Sequence, residues 1–243
     1  MRRRRHTLET CASAKGLVVV VDVLRAYTTA CVAFARGAAS IALVDTVDRA
    51  RELQGQRSGA LTVGEVDALP VPGFDYSNSP GQLSKASLEG RELIMRTSSG
   101  TQGVVRAQAA DLVLCAALAN ATATARRINE SGGACSFVIT GERPGAPADE
   151  DEACADLIET MIDGGEANFA EAASRVRNAA HARKFSDPAR PEFPAEDLEW
   201  ACRIDWVDFT LEAQSGPLPR LVAVPSSTHL TPNPSPRGGE GNQ

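Results

Sequence analysis

Aromatic side chains are scarce in this chain, at 5% of its 243 residues, so its core must be built from aliphatic groups, chiefly Val, Leu, Ile and Ala. No apolar run approaches the roughly 20 residues that a membrane-spanning helix needs. The basic start, Met1 to Arg5, is followed by no apolar stretch of the kind a secretory signal carries. The six cysteines (Cys11, Cys31, Cys115, Cys135, Cys154 and Cys202) form no C-x-x-C pair, which argues against a structural zinc site. Most lie in apolar segments and read as small buried hydrophobes of a reduced, cytoplasmic protein. Of the three histidines, His6, His181 and His229, none follows a candidate strand, so a phosphohistidine or Ser-His-Asp mechanism lacks an obvious base. There is no G-x-x-x-x-G-K-S/T loop and no G-x-G-x-x-G after a strand. Asp22 lacks the second Asp two residues on that haloacid-dehalogenase-type phosphatases use, and no Cys stands five residues before an Arg in a strand–loop–helix setting. A net charge of −6 and a pI near 5.2 argue against a general nucleic-acid binder.

What is present is an ordinary soluble composition, 43% hydrophobic and 23% charged. The organising stretch is Gly16 to Thr29, where the non-alternating run Leu17 to Val21 reads as a strand buried on both faces. It ends in Asp22, and Arg25 follows. Further strands are expected at 39–44, 61–63, 92–96, 112–116 and 136–140, with a last edge strand at 221–224. Helices are expected at 26–36, 47–54, 102–110, 120–129 (capped by Asn120), 149–162, 169–184 and 195–202. The alternation predicts an α/β fold, a three-layer parallel or mixed sheet flanked by helices. The expected organisation is a flexible basic end over 1–15, one domain over 16–224 and a disordered Ser/Thr/Pro/Gly tail over 225–243.

The chemistry-bearing residues stand where strands end, which is where ligands bind in open α/β sheets. Thr97-Ser98-Ser99-Gly100-Thr101 lies between a strand and a helix, a setting that suits a phosphate or sulfonate and equally a plain capped turn. Glu65 after a strand is either a metal ligand or a solvated acid. Glu150 and Asp151 in the first turn of a helix suit either the macrodipole or Mg²⁺, which takes one or two carboxylates plus water and phosphate oxygens. The loop Gly73 to Pro80 is rich in turn-formers. Asp197, Cys202 and Asp205 read as a helix cap, a core thiol and a surface acid, and Trp200 and Trp206 as packing anchors.

Taken in order, these segments resemble the 2-phosphosulfolactate phosphatase (ComB) family over roughly residues 16 to 210. The motifs that carry the resemblance are Val20-Val21-Asp22-Val23-Leu24-Arg25-Ala26 with Thr28-Thr29, Gly64-Glu65, Gly73-Phe74-Asp75 with Asn78-Ser79-Pro80, Arg96 to Thr101, and Glu150-Asp151 with Ala153-Cys154. Three positions depart from the family pattern: Tyr27 stands where Thr is usual, Ser98-Ser99 where Thr-Asn is usual, and Ser77 where Gly is common. The resemblance implies a Mg²⁺-dependent phosphatase that releases phosphate from 2-phospho-3-sulfolactate, or a related small phosphorylated acid. In methanogens that step leads toward coenzyme M. The expected metal ligands are drawn from Asp22, Glu65, Glu150 and Asp151. Arg25 and the turn Thr97, Ser98, Gly100 and Thr101 are expected to hold phosphoryl oxygens. Asp75, or one of the metal-side carboxylates, orients the water, and Asn78 and Ser79 bind the remaining acid groups. The expected partner is the small phosphorylated acid, with no nucleic acid and no membrane; a homodimer is compatible with the sequence but not read from it. The alternative is a non-catalytic phosphate- or anionic-metabolite-binding protein on the same fold. A nucleotide phosphotransferase is disfavoured by the missing phosphate loop.

Overall fold

The computed structural model describes residues 3–107, 109–142 and 147–226. Elements are numbered in chain order. The chain enters through β1 (Arg5–His6) and crosses the centre as β2 (Gly16–Val21). The β-branched run of β2 is fully buried because each face meets its own core: Val18 and Val20 join one apolar cluster, and Leu17, Val19 and Val21 join another. Then come α1 (Ala26–Ala35), β3 (Ser40–Leu43), α2 (Val47–Gln56, capped by the Thr46 hydroxyl) and β4 (Leu61–Val66). The polar stretch after β4 holds β5 (Leu69–Pro70), β6 (Tyr76–Ser77) and the single turn α3 (Pro80–Leu83). The remainder alternates as β7 (Glu92–Arg96), α4 (Gly100–Arg106), β8 (Ala110–Ala116), α5 (Ala121–Glu130), β9 (Ser136–Ile139) and α6 (Asp149–Ile162). Helices α7 (Phe169–Asn178) and α8 (Ala195–Ala201) flank a 3-10 segment, Ala180–Ser186, and the hairpin of β10 (Phe209–Gln214) and β11 (Arg220–Pro225) ends the described chain.

The strands form one mixed sheet in the order β1-β9-β2-β8-β10-β11-β3-β7-β4-β5, with β6 beside β4. Pairs β9–β2, β2–β8, β3–β7 and β7–β4 are parallel, as βαβ crossovers require, while β10 runs antiparallel to β8 and β11 antiparallel to β3. The hairpin therefore joins two parallel halves. This corrects the expectation of an edge strand at 221–224: β11 is interior, and Leu221 is fully buried. Strand β10 was not expected, although Phe209 to Gln214 alternates apolar and polar residues strictly, the pattern of a half-buried strand. The sheet curls, so that α4, arriving from β7 in the far half, packs Val104 into the same cluster as Val20 of β2.

Three further expectations change. The basic end is built in: β1 pairs with β9, and Arg5 reaches Asp156 and Glu159 on α6 at 2.9 Å each. The expected 169–184 helix stops at Asn178 and resumes as the 3-10 turn. Asn120 stands at the expected N-cap position of α5, but its carboxamide makes no capping bond; it accepts from Ala117 N and donates to Cys115 O instead. The expected tail lies, from residue 227 onward, outside the described residues. Among the described residues no helix is long and apolar enough to cross a membrane.

Candidate active site

Strands β2, β4, β7 and β9 present their C-terminal ends to one cavity of about 220 Å³, a size for a metabolite rather than a larger ligand. Asp22 stands just past β2 and is 5% exposed; its Oδ1 accepts from Ala26 N at 3.0 Å, which fixes the carboxylate at the start of α1. Gly100 closes over it: a Cβ there would fall 2.8 Å from Asp22 Oδ2 and 2.7 Å from the Ala26 Cβ, so only glycine lets the turn after β7 approach. The Tyr27 hydroxyl donates to the Gly100 carbonyl at 2.7 Å and pins that turn from below.

Glu65, in β4, accepts from Ser98 N and Ala68 N at 2.5 Å each and from the Ser98 hydroxyl at 3.2 Å. The glycine before it is forced by strand pairing, since a Cβ at Gly64 would meet the Arg96 carbonyl of β7. Asp151, in the first turn of α6, ties two loops together by accepting from Val23 N at 2.8 Å and Gly141 N at 2.9 Å. Glu150 accepts or shares a proton with His181 Nδ1 at 2.7 Å, while its other oxygen is buried with no partner. The Asn78 side-chain oxygen is likewise buried and unpartnered at the cavity wall.

Burial pushes the Asp22 carboxyl up to about 6, and the charges of Glu65 and Glu150 push the same way. Burial also holds the Asp151 carboxyl well above the ordinary carboxylate range, helped by Glu150 and Asp22. These acids crowd one another with too little positive charge between them, and that is the electrostatic setting a divalent cation relieves. The donors are carboxylate and carboxamide oxygens, with an orphaned Glu150 oxygen among them, which suits hard Mg²⁺. No three His, Cys, Asp or Glu side chains among the described residues converge into a ready-made cage. The residues therefore fit a sparse site, with one or two carboxylates completed by water and substrate oxygens.

The expected residues divide. Asp22, Glu65, Asn78, Ser98, Glu150 and Asp151 all border the cavity. Gly100 lies directly behind Asp22. Thr97 and Thr101 are buried and each hydroxyl bonds the other's backbone, so they shape the turn without lining the cavity. Ser79 donates to Asp197 and caps α3. Asp75 is corrected: it is exposed, and its Oδ2 accepts from Thr62 N, the Thr62 hydroxyl and Gln54 Nε2, anchoring the loop to β4 away from the cavity. Arg25 is corrected in part. It borders the cavity, but its Nη1 is held by Asp197 at 2.7 Å and by the Glu192 carbonyl at 3.1 Å, with both charged groups buried.

Asp197, His181 and Lys184 are not expected at the site from the sequence, whereas Ser99 belongs to the turn that is. Asp197 is a buried hub, joining Arg25 to Ser79 and Gly81 N, where a helix cap was expected. Ser99 borders the cavity beside Ser98. His181 and Lys184 enter from the 3-10 segment, and their i, i+3 spacing in a chain with three histidines was the available signal.

A family model described as 2-phosphosulpholactate phosphatase matches residues 4–215. The chain belongs to the 2-phosphosulpholactate phosphatase family. A relative in Bacillus subtilis, named as a probable 2-phosphosulfolactate phosphatase, is 31% identical over 209 residues, covering 85% of this chain and 91% of its own. One in Thermoplasma acidophilum with the same name is 29% identical over 216 residues, with 88% and 91% covered. A third, from Deinococcus radiodurans and named likewise, is 41% identical over 111 residues, 45% of this chain and 46% of its own. The family match begins at Arg4, which accords with β1 being part of the folded domain.

Proposed function

We propose that this protein is a phosphatase that hydrolyses a small phosphorylated acid, 2-phospho-3-sulfolactate being the first candidate, with Mg²⁺ as its cofactor. The observation that carries the reading is the convergence of Asp22, Glu65, Asn78, Ser98 and the adjacent pair Glu150 and Asp151, from five places in the chain, on one small cavity. The family and its named relatives supply the reaction class.

Glu65 accepts from both the N–H and the hydroxyl of Ser98, which fixes the turn after β7 as one wall of the cavity. Asn78 offers a buried acceptor to a water in the cavity. One or two of Asp22, Glu150 and Asp151 would hold Mg²⁺, which when bound would neutralise developing charge on the phosphoryl oxygens. The Glu150–His181 contact sets the ring at the cavity edge, within reach of an attacking water or a leaving oxygen. Asp22 and Asp151 are fixed by backbone N–H groups, so they stay aimed without a substrate present.

The test is phosphate release from a panel of small phosphorylated carboxylic and sulfonic acids, with Mg²⁺ and with EDTA. Release that needs the metal supports the reading. Calorimetry showing a phosphorylated acid bound and intact after hours, with no release, establishes the non-catalytic alternative.

A further inference from the structure

The cavity has two fixed cationic side chains among its described lining residues, and they are not equivalent. Arg25 is neutralised by Asp197 at 2.7 Å and held by the Glu192 carbonyl. Lys184 has no ion-pair or hydrogen-bond partner among the described residues. Its ammonium lies 4.6 Å from the centroid of the Phe193 ring and 5.6 Å from that of Phe185. Those two rings meet edge to face at 5.5 Å and also carry the Arg25 guanidinium, at 5.0 and 5.4 Å. The aromatic pair thus holds the Lys184 ammonium itself at the cavity wall, beside the Arg25 guanidinium. An ammonium in that position is a strong donor for an oxyanion.

Within the phosphatase reading above, on which this step rests, we propose that Lys184 binds the acid group of the substrate that is not transferred, a carboxylate or sulfonate. The hydroxyl-bearing turn at Ser98 and Ser99 comes from β7 and is tied to Glu65; Lys184 comes from the other side of the chain, one turn from the His181 that contacts Glu150. The cavity is thus bordered by the carboxylates and the bend after β7 from some segments and by Lys184 from another, so the two acid ends of a substrate meet different parts of the chain.

The test is isothermal titration of two probes, 3-sulfolactate and inorganic phosphate, into the wild-type protein with Mg²⁺ present, and into Lys184→Met and Lys184→Arg. The expected result is a tenfold or greater loss of 3-sulfolactate affinity in Lys184→Met, a loss of phosphate affinity below threefold, and substantial recovery of 3-sulfolactate binding in Lys184→Arg. If Lys184→Met does not fold, judged by its thermal transition, Lys184→Gln carries the same measurement. Equal losses for the two probes, loss of phosphate binding alone, or unchanged 3-sulfolactate binding each overturn the assignment. So does a wild type that binds phosphate but not 3-sulfolactate. None of those results touches the phosphatase reading, which stands or falls on phosphate release from phosphorylated acids.

Discussion

The cavity has two walls, and they are built on different physical terms. One is made of strand ends: Asp22, Glu65 and Asp151 sit at fixed offsets from β2, β4 and the loop after β9, each gripped by backbone N–H groups. The other is residues 180–197, a non-strand segment that lays His181, Lys184 and Asp197 against the first wall and is braced by Phe185 and Phe193. The strand-end wall concentrates negative charge at a cost in stability, whereas the second wall brings positive charge and is held by aromatic packing and one buried ion pair. Placing unlike charge on independent segments lets the fold keep acids close together that would otherwise repel.

The comparison breaks most sharply at the bond that joins the walls. Asp197→Ala strands a buried guanidinium and removes the acceptor for Ser79 and Gly81 N, so unfolding in urea should show a loss of about 3–5 kcal/mol. Next comes the cost on the acidic wall. The Asp22 carboxyl, near 6 in the folded protein and about 3.9 unfolded, binds its proton more tightly when folded; Asp22 therefore costs stability once pH rises through that interval, fully above about 6 and hardly at all near 4. Asn at this position keeps an oxygen for Ala26 N. Asp22→Asn, unfolded in urea with EDTA present, should be more stable than wild type by about 2 kcal/mol at pH 8, with the gain fading toward pH 4.

Asp75→Ala sharpens the boundary of the site. It leaves Thr62 N and Gln54 without their acceptor, so stability should fall by about 1–2 kcal/mol, while kcat/KM for phosphate release stays within about threefold of wild type. The smallest effect expected is that of Tyr27→Phe, which removes one buried hydrogen bond to the Gly100 carbonyl and should cost about 1 kcal/mol in thermal or urea unfolding.

The two walls also differ in how much of each the sequence discloses. A strand such as Leu17 to Val21 announces itself by its unbroken β-branched run, and its end fixes where Asp22 must stand, so the acidic wall could be read before any coordinates. The residues of the second wall follow no strand. Lys184 and His181 ride a 3-10 turn whose position depends on α7 stopping at Asn178, and Asp197 looks like any acid in the first turn of a helix until Arg25 is seen beside it. Asp75 misled for the converse reason: it sits in a motif with true cavity residues such as Asn78, yet local bonds to Thr62 turn its carboxylate away. Strand β10 carries its own signal, the strict apolar–polar alternation of Phe209 to Gln214, and what the sequence alone does not disclose is its place between two parallel halves.

The central claim is that the acids of the strand-end wall drive hydrolysis of a phosphorylated acid held between the two walls. It is tested most directly by steady-state phosphate release from 2-phospho-3-sulfolactate, comparing wild type with Asp22→Asn, each with Mg²⁺ and with EDTA. The account predicts turnover by the wild type with Mg²⁺ alone, abolished by EDTA and lowered at least a hundredfold in Asp22→Asn. Full turnover by Asp22→Asn, or wild-type turnover indifferent to EDTA, would contradict it.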